Sequence, residues 1–413
     1  MTGDRVTAVD LGEIDTLLPL AEDRTGFGRR VRCLWSLAPD LVPLNHGSFG
    51  ALPRCVEAVQ RRYQRKLESN PDRFFEDHVL PLADETPLRR AAARLGAFAG
   101  APGAAIAFVE NATVGIEAVL DSVALQPSQE VLVTSHGYNA VRLAVERRCR
   151  ATGAKLRVVD LPIPCSEEEI LGRIGEEARE AVRLAVIDHV TSPTALVFPI
   201  VAIAPLLRER GIALLIDGAH ALGQVPLSLA RLRPDWYVSN AHKWLYAPRG
   251  TAILHASGEA AALTEPRVTS HFAGVGFPRA FDYVGTRDYS AWLAAPAGME
   301  FRRALAERGL AAHVEMLLAD CTKRLAAIGA VPVARSPSSA WMRSFILPQC
   351  RPATAGDAAA LRTGLWQRHR IQVAASMVSE KLLLRVSGQA YVDLQDIEQL
   401  CGTLSREGWP GRS

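Results

Sequence analysis

The stretch that decides the fold is residues 212–254, IALLIDGAHALGQVPLSLARLRPDWYVSNAHKWLYAPRGTAIL. Its apolar residues 212–216 end at Asp217, which is typical of a strand covered on both faces. A shorter run, 236–239, predicts a second strand that leads into Lys243, and residues 251–254 return to the sheet. Because parallel strands end at a common edge of their sheet, this pattern predicts that Asp217 and Lys243 converge there.

The surroundings of Lys243 suggest a particular chemistry. Trp244, Leu245 and Tyr246 follow it directly. A lysine in an apolar surround is poorly solvated as a cation, so its amine is neutral and nucleophilic near neutral pH and forms Schiff bases. A carboxylate such as Asp217 at a neighbouring strand end keeps a pyridine nitrogen protonated. The pair suggests pyridoxal phosphate, although a surface lysine and a helix-capping aspartate give the same spacing.

Composition limits the class of protein. The 413 residues are 48% hydrophobic, and the net charge is +3 from 47 basic and 44 acidic residues. This small, dispersed charge argues against nucleic acid or a membrane surface as a partner. The seven cysteines show no metal-ligand spacing and fit free thiols in a reducing compartment. With no secretory or membrane-spanning run, we expect a cytoplasmic globular protein that acts on a small molecule.

Strand and helix patterns alternate from about residue 100 to 255. This alternation predicts an α/β fold with a mainly parallel, doubly wound sheet and helices on both faces. We expect a large domain over residues 41–290 and a smaller α+β domain over 291–413. Residues 1–40 then form an N-terminal arm that packs on the small domain.

An anion site is predicted after the apolar strand at 106–109. Polar residues 110–113 follow this strand and precede a helical pattern. Unpaired backbone N–H groups and the helix dipole meet at such a turn, and the Thr113 hydroxyl adds a donor for a phosphate group. A strand, turn and helix also occur in proteins that bind no anion.

Two further loops follow predicted strands at the same edge. After residues 131–134, the ring of either His136 or Tyr138 could stack on a pyridine face. After residues 184–187, Thr191 or Ser192 could donate a hydrogen bond to a phenolic oxygen. A surface loop and an ordinary helix cap are the alternatives for these two segments.

Arg385 is the candidate for binding a substrate carboxylate. It follows the apolar residues 382–384, which place it at the tip of a predicted strand. A guanidinium there can hold a carboxylate through two parallel hydrogen bonds, and amino acid substrates need such a partner. The alternative is a solvated arginine at a strand edge.

Several strings together resemble the class V aminotransferase family of pyridoxal phosphate enzymes, of fold type I, and most of all its isopenicillin N epimerase-like branch. They are LNHGSFG at 44–50, DGAHALG at 217–223, SNAHKWLYAPRG at 239–250 and LRVSGQ at 384–389. The resemblance covers most of the chain. It implies pyridoxal phosphate as the cofactor, attached to Lys243, and the fold with a large and a small domain described above.

The resemblance also implies roles for other residues. Around the cofactor these are Asp217, His220 near a cofactor oxygen, Ala112, Thr113 and His242 at the phosphate, Tyr138 rather than His136 as the stacking ring, and Ser192. Asn45 and His46 would contact the substrate beside Arg385. Gly285 and Thr286 would reach the cofactor phosphate of a partner subunit, which implies a homodimer.

These expectations lead to an enzyme that acts at the α-carbon of an amino acid or an amino-acid-derived metabolite. Lys243 would carry the α-proton, and the first expectation is an epimerisation through a carbanion, as in the isopenicillin N epimerase-like branch. A carbon–sulfur lyase that eliminates a β-substituent and an aminotransferase remain open, because a fold hosts many reactions.

Two other hypotheses have less support from the sequence. A cysteine desulfurase needs a nucleophilic cysteine shortly before the carboxylate-binding arginine, but residues 365–384 contain none and Cys350 is distant in sequence. A non-catalytic homologue that only binds a ligand is disfavoured, because the chain has all four of Asp217, His242, Lys243 and Arg385.

Overall fold

The structure is a computed structural model that describes residues 26–82, 85–101, 105–335 and 340–408. The strands, numbered in chain order, are β1 (Val42–Pro43), β2 (Ile106–Val109), β3 (Glu130–Thr134), β4 (Lys155–Val159), β5 (Val182–Asp188), β6 (Ala213–Asp217), β7 (Trp236–Asn240), β8 (Ala252–Ala256), β9 (Val331–Pro332), β10 (Met342–Ile346), β11 (Ile371–Gln372), β12 (Ala374–Val378) and β13 (Lys381–Ser387).

The α-helices between these strands are numbered in the same way. They are α1 (His46–Phe49), α2 (Arg54–Ser69), α3 (Pro71–His78), α4 (Pro87–Phe98), α5 (Ala112–Ser122), α6 (Asn139–Thr152), α7 (Glu167–Glu177), α8 (Ile200–Glu209), α9 (Leu229–Leu232), α10 (Gly258–Leu263), α11 (Ser290–Glu307), α12 (Leu310–Ala326), α13 (Ala355–His369) and α14 (Leu394–Glu407). Short 3-10 helices cover Arg29–Leu34 and Arg279–Phe281.

The largest sheet has seven strands in the order β2-β8-β7-β6-β5-β3-β4. The five strands β7, β6, β5, β3 and β4 run parallel to one another. Only β8 runs against its neighbours β7 and β2 in the sheet as described. The mainly parallel sheet predicted from the sequence is therefore confirmed.

Side chains of the central strands alternate between two hydrophobic cores. In β6, Leu215 packs in the core that also contains Ile116 of α5, whereas Leu214 and Ile216 pack in the core that contains Ile203 of α8. Burying each such side chain contributes about 1.5–3 kcal/mol. The sheet thus carries helices on both faces, as the apolar run at 212–216 indicated.

Polar residues lie at one edge of the large sheet. This edge is formed by the carboxyl ends of β2, β5, β6 and β7. Asn111 stops β2 and starts α5, since its side chain accepts a hydrogen bond from the backbone N–H of Val114 at 3.1 Å. Asp188 and Asp217 are the last residues of β5 and β6, and Asn240 is the last of β7. Polar side chains from separate parts of the sequence therefore meet at this edge.

The C-terminal part of the chain builds a four-stranded antiparallel sheet in the order β12-β13-β10-β9. The N-terminal part contacts it: β1 pairs with β11, and Arg32 forms an ion pair of 2.6 Å with Asp396. Residues 1–25 of the expected arm lie outside the described residues. Among the helices that are described, none is both long and apolar enough to span a bilayer.

Two local features add to the sequence analysis. Within residues 44–50, His46–Phe49 forms one helical turn. Gly50 has φ 66°, and a Cβ there would lie 2.1 Å from the His242 carbonyl oxygen, so this glycine lets two protein backbones approach each other. Arg385 lies inside β13 rather than at its tip, because the strand continues to Ser387.

Candidate active site

A cavity of about 410 Å³ opens at the carboxyl edge of the large sheet. It brings together most of the side chains predicted from sequence to act at a cofactor: Ala112, Thr113, Tyr138, Ser192, Asp217, His220, His242 and Lys243. They come from five segments of the chain that follow different strands. The sequence predicted that Asp217 and Lys243 would converge, and both line this cavity.

Lys243 reaches the cavity from the segment after β7. Its surroundings remove the amine from solvent, and this burial lowers its pKa to about 7. The positive charge of Arg385 lowers the pKa in the same direction, whereas Asp217 opposes both effects. A substantial fraction of the amine is therefore neutral and nucleophilic at neutral pH.

The hydrogen bonds of His220 are consistent with this neutral amine. The indole N–H of Trp244 donates to His220 Nδ1 at 3.4 Å, and because indole is only a donor, Nδ1 must be an acceptor. Burial lowers the pKa of His220 well below its usual value, so its ring is neutral and carries the proton on Nε2. This N–H faces Lys243 Nζ at 2.9 Å, and only an unprotonated amine accepts a hydrogen bond.

Asp217 supplies a buried carboxylate at the end of β6, with 3% of its surface exposed. Its Oδ1 accepts a hydrogen bond from the backbone N–H of Ala219 at 2.9 Å. Burial raises the pKa of Asp217, while that hydrogen bond and the charge of Lys243 oppose the rise. The negative charge of this carboxylate would complement a positively charged N–H of a ligand ring.

Arg385 is buried, with 3% of its surface exposed, and the oxygens that accept its hydrogen bonds are neutral. Nη1 donates to the Ser192 carbonyl oxygen at 2.7 Å and to its hydroxyl at 3.1 Å. Nη2 donates to Asn45 Oδ1 and Ser48 Oγ, both at 3.1 Å, and Nε has no hydrogen-bond partner in the described part of the chain. No carboxylate pairs with Arg385 among the described residues, and burial lowers its pKa to about 10. The interpretation as a solvated arginine is wrong.

These contacts bear on three residues named from the sequence. Asn45 lies beside Arg385, where the sequence placed a substrate contact, and Ser48 joins it there. The Ser192 hydroxyl, expected at a cofactor oxygen, accepts a hydrogen bond from Arg385. The alternative residue, Thr191, is buried and pairs with Thr194 at 2.7 Å.

The N-terminus of α5 forms another wall of the cavity. The backbone N–H of Ala112 donates to Asn240 Oδ1 at 2.9 Å, so this predicted anion donor already has a partner. The N–H and hydroxyl of Thr113 make no hydrogen bond to any described residue and face the cavity. His242 lies nearby with Nδ1 donating to the Thr251 carbonyl oxygen at 3.1 Å, which leaves Nε2 for a ligand.

His46 occupies a different position from the one expected. Its Nε2 donates to the Lys243 carbonyl oxygen at 2.9 Å, so its Nδ1 accepts from the Tyr391 hydroxyl at 2.8 Å. Burial lowers the pKa of His46 to about 4, which keeps the ring neutral. Asn45 and His46 line an adjoining cavity of about 570 Å³. With both ring nitrogens engaged, His46 supports the backbone of Lys243.

Some of the remaining predicted residues line the cavity, and others lie away from it. Tyr138, with 48% of its surface exposed, lines the cavity, whereas His136 is buried and its Nε2 donates to the Leu161 carbonyl oxygen at 3.3 Å. Gly285 and Thr286 lie elsewhere, where Gly285 accepts a hydrogen bond from the Tyr289 hydroxyl at 3.1 Å. Thr286 Oγ1 lies 3.4 Å from the Tyr283 hydroxyl.

Sequence reasoning missed three residues of the site. Asn240 bonds to Ala112, Ser48 bonds to Arg385, and Asp188 lines the cavity beside Asp217. A signal existed for Asp188, because it ends an apolar run in the same manner as Asp217. Asn240 and Ser48 gave no comparable signal, since their partners are distant in sequence.

Comparisons with known proteins identify the family to which the chain belongs. Residues 50–400 match the model of a family described as aminotransferase class V. The chain is 32% identical over 393 residues to an isopenicillin N epimerase of Streptomyces clavuligerus, which covers 89% of this chain and 95% of that protein. It is 34% identical over 282 residues to a probable chloroplastic L-cysteine desulfhydrase of Arabidopsis thaliana, covering 64% of this chain and 58% of that protein.

Solved structures show the same fold at lower identity. A cystine C–S lyase in complex with its product cysteine persulfide superposes with a TM-score of 0.73 and 19% identity, covering 89% of this chain and 98% of the other. The cysteine desulfurase CsdA of Escherichia coli gives a TM-score of 0.73 with 17% identity, covering 91% and 96%. The α/β fold class predicted from the sequence is confirmed.

Proposed function

Because the chain belongs to the aminotransferase class V family, we propose that it is a pyridoxal phosphate-dependent enzyme acting at the α-carbon of an amino acid or an amino-acid-derived metabolite. An epimerisation is the first candidate reaction. The observation that carries the proposal is the buried amine of Lys243, whose pKa is lowered to about 7, in one cavity with Asp217.

The donor set of the cavity fits this cofactor. Lys243 offers a neutral amine to an aldehyde carbon, and Asp217 offers a negative charge to a pyridinium N–H. The unpaired N–H and hydroxyl of Thr113 at the start of α5 suit a phosphate group. The phosphate group, the ring nitrogen and the aldehyde carbon of the cofactor thus each have a complementary partner.

The other cofactor contacts follow from the positions of their side chains. We assign His242 Nε2 and, after release from Asn240, the Ala112 N–H to the phosphate. Tyr138 is assigned to the face of the ring, and His220 to a ring oxygen and to orienting Lys243. Ser192 acts mainly by fixing Arg385.

Arg385 is proposed to bind the substrate carboxylate. It is a buried cation held by the neutral oxygens of Asn45, Ser48 and Ser192, so a carboxylate would supply the missing negative charge. This places the α-carbon of a substrate between Arg385 and Lys243. The neutral Lys243 amine then takes up the α-proton and returns it.

When bound, pyridoxal phosphate withdraws electrons from the α-carbon of an attached amino acid and makes its proton acidic. The fate of that proton separates the candidate reactions. Return to the α-carbon from the other face is epimerisation, and the relative from S. clavuligerus carries that name. Loss of a β-substituent is a lyase reaction, favoured as the second candidate by the relatives named as cysteine desulfhydrases. Transamination is the third.

Two further expectations remain proposals. We retain a large domain over 41–290, a small domain over 291–413 and an arm before residue 41; the pairing of β1 with β11 and the Arg32–Asp396 ion pair support the arm. We also propose a homodimer in which Gly285 and Thr286 contact the partner's cofactor phosphate. Gly285 has φ 111°, and a Cβ built there would meet no described atom within 4 Å, so a partner subunit has room to approach this residue.

Cofactor attachment is tested by absorbance. Purified protein incubated with pyridoxal phosphate should become yellow and lose that band on borohydride reduction, with the label on the peptide containing Lys243. Lys243→Ala should not form the band, whereas Lys323→Ala on helix α12 should behave as the wild type. A wild-type protein that forms no band would refute the proposal.

The reaction type is tested with L-amino acids and thioether amino acids in deuterated water. Incorporation of α-deuterium without keto acid identifies an epimerase. Release of pyruvate with ammonia identifies a lyase, and keto acid formed only with an amino acceptor identifies an aminotransferase. A protein that forms the absorbance band and yet exchanges the α-proton of none of these compounds is a further outcome. That result would contradict action on free amino acids.

A further inference from the structure

Asp188 is a buried acidic side chain of the cavity that takes no part in the cofactor and substrate contacts proposed above. It ends β5 with 6% of its surface exposed and lines the cavity. In the register of the parallel strands, Asp188 is the direct partner of Asp217 on β6. Neighbouring strands lie about 4.8 Å apart, and side chains at paired positions share a face of the sheet. Two carboxyl groups therefore lie side by side in a buried position.

Two adjacent buried carboxyl groups do not both ionise, because the low dielectric strengthens their repulsion. Their surroundings decide which one keeps the charge. Asp217 accepts the N–H of Ala219 at 2.9 Å and interacts with the charge of Lys243. The carboxyl group of Asp188 makes no ion pair and no hydrogen bond with the side chain or backbone of another described residue. A carboxylate is therefore better stabilised at Asp217 than at Asp188.

The space near Asp188 is also restricted. A Cβ at Gly137 would lie 3.3 Å from Asp188 Oδ2, so the loop after β3 covers this carboxyl closely. The other titratable or charged side chains that line the cavity are Glu110, Tyr138, His220, His242, Lys243 and Arg249. Arg385 adds a charge from β13, held by Ser192, and Tyr237 of β7 bonds to His189 at 2.8 Å. None of these groups forms an ion pair with Asp188.

We propose that Asp188 keeps its proton and acts as a positioning residue that leaves Asp217 as the single negative charge at this edge of the sheet. The assignment rests on the proposed function only where Asp217 is the partner of the pyridine ring. Burial and the charge of Asp217 both raise the pKa of Asp188 well above its usual range, in agreement with this assignment. A second charge at Asp188 would repel Asp217 and stabilise the cation of Lys243, which would make the amine less nucleophilic.

The two carboxyl groups can be compared by isosteric replacement. Asn mimics a protonated Asp, so full-length Asp188→Asn should bind pyridoxal phosphate and keep its absorbance band with an affinity within about threefold of the wild type. Asp217→Asn removes the required charge and should lower the affinity or kcat/KM by about a hundredfold or more. Equal losses in the two variants would overturn the proposal.

A second readout needs no cofactor and no activity. The pKa of Asp188 is raised in the folded chain, so the wild-type protein should lose stability as pH rises from the unfolded value of an aspartate through the folded value. Asp188→Asn has no proton to lose and should show a smaller loss over this range in urea unfolding. Asp160→Asn is the matched control, because Asp160 is an exposed acid directly after β4, at the edge of the same sheet. The same pH slope in wild type and Asp188→Asn would contradict a protonated Asp188.

If Asp188→Asn does not fold, infrared spectra of the wild type decide the point. A protonated buried carboxyl should give a carboxylic-acid carbonyl band at neutral pH, shifted by ¹³C-labelled aspartate. Absence of such a band would overturn the proposal. Failure of pyridoxal phosphate to bind wild-type protein would instead refute the proposed function, and would leave the unfolding and infrared results unaffected.

Discussion

Two arginine side chains are buried to nearly the same extent, Arg89 with 5% of its surface exposed and Arg385 with 3%. Arg89 donates to Asp282 Oδ1 at 3.0 Å and to the Ile106 carbonyl oxygen at 2.8 Å, so its charge is balanced within the fold. Arg385 contacts only neutral oxygens among the described residues. Arg89 therefore has a carboxylate partner, whereas Arg385 has none among the described residues.

This difference separates structural from functional burial of charge. Burying a cation costs several kcal/mol unless a carboxylate compensates it. At Arg89 the compensating carboxylate is Asp282, and this ion pair contributes to the stability of the fold. At Arg385 it is absent from the described residues, which is reasonable for a position where an anionic substrate completes the pair.

The largest effect is expected for Arg385→Gln. The loss of a charge-assisted contact to the substrate carboxylate should lower kcat/KM by about a thousandfold, or about 4 kcal/mol. The free energy of unfolding should stay the same or rise, because an uncompensated buried charge is removed. Steady-state kinetics and urea unfolding check both statements. Lower stability with unchanged kcat/KM would place Arg385 in the same class as Arg89.

Arg89→Met should give the opposite result. It leaves Asp282 with only Arg279, at 2.7 Å, as its cationic partner. The free energy of unfolding should fall by about 3 kcal/mol, as for a broken buried pair. The KM and kcat of the folded fraction should remain those of the wild type. A raised KM would show that this ion pair also shapes the active site.

The pH dependence of cofactor attachment should sharpen the comparison. Burial and Arg385 lower the pKa of Lys243 to about 7, and the amine is neutral above that pH. The rate of attachment should therefore rise with pH through about 7 in the wild type. In Arg385→Gln the pKa of Lys243 should be higher, so the midpoint should move to higher pH. Stopped-flow absorbance measures this midpoint, and Arg89→Met should leave it unchanged.

The smallest effect is expected for Tyr391→Phe. It removes the hydroxyl that donates to His46 Nδ1 at 2.8 Å and leaves this buried acceptor with the longer hydrogen bond, 3.3 Å, from the Ala51 backbone N–H. The free energy of unfolding should fall by about 1 kcal/mol, with the absorbance band of the bound cofactor retained. A loss of the band would mean that the support of Lys243 by His46 is needed for cofactor binding as well as for stability.

The sequence predicted the large sheet and the meeting of Asp217 with Lys243 because both depend on local patterns. Apolar runs fix strands, and parallel strands end at one edge, so the last residue of each run is a site candidate. The role of His46 could not be predicted in this way. Its partners, Tyr391 and the Lys243 carbonyl, are 345 and 197 residues away.

The sequence by itself determined the alternation of strands and helices, the family and the residue types able to bind a cofactor and a carboxylate. Only the tertiary structure decided which donors are already used, as at Ala112, which acceptors are used, as at Ser192, and which described charges lack a described partner of opposite charge, as at Arg385. Hydrogen bonding and desolvation depend on atoms brought together from distant segments. A residue's identity fixes what it can donate or accept, whereas the fold fixes what it has left to offer a ligand.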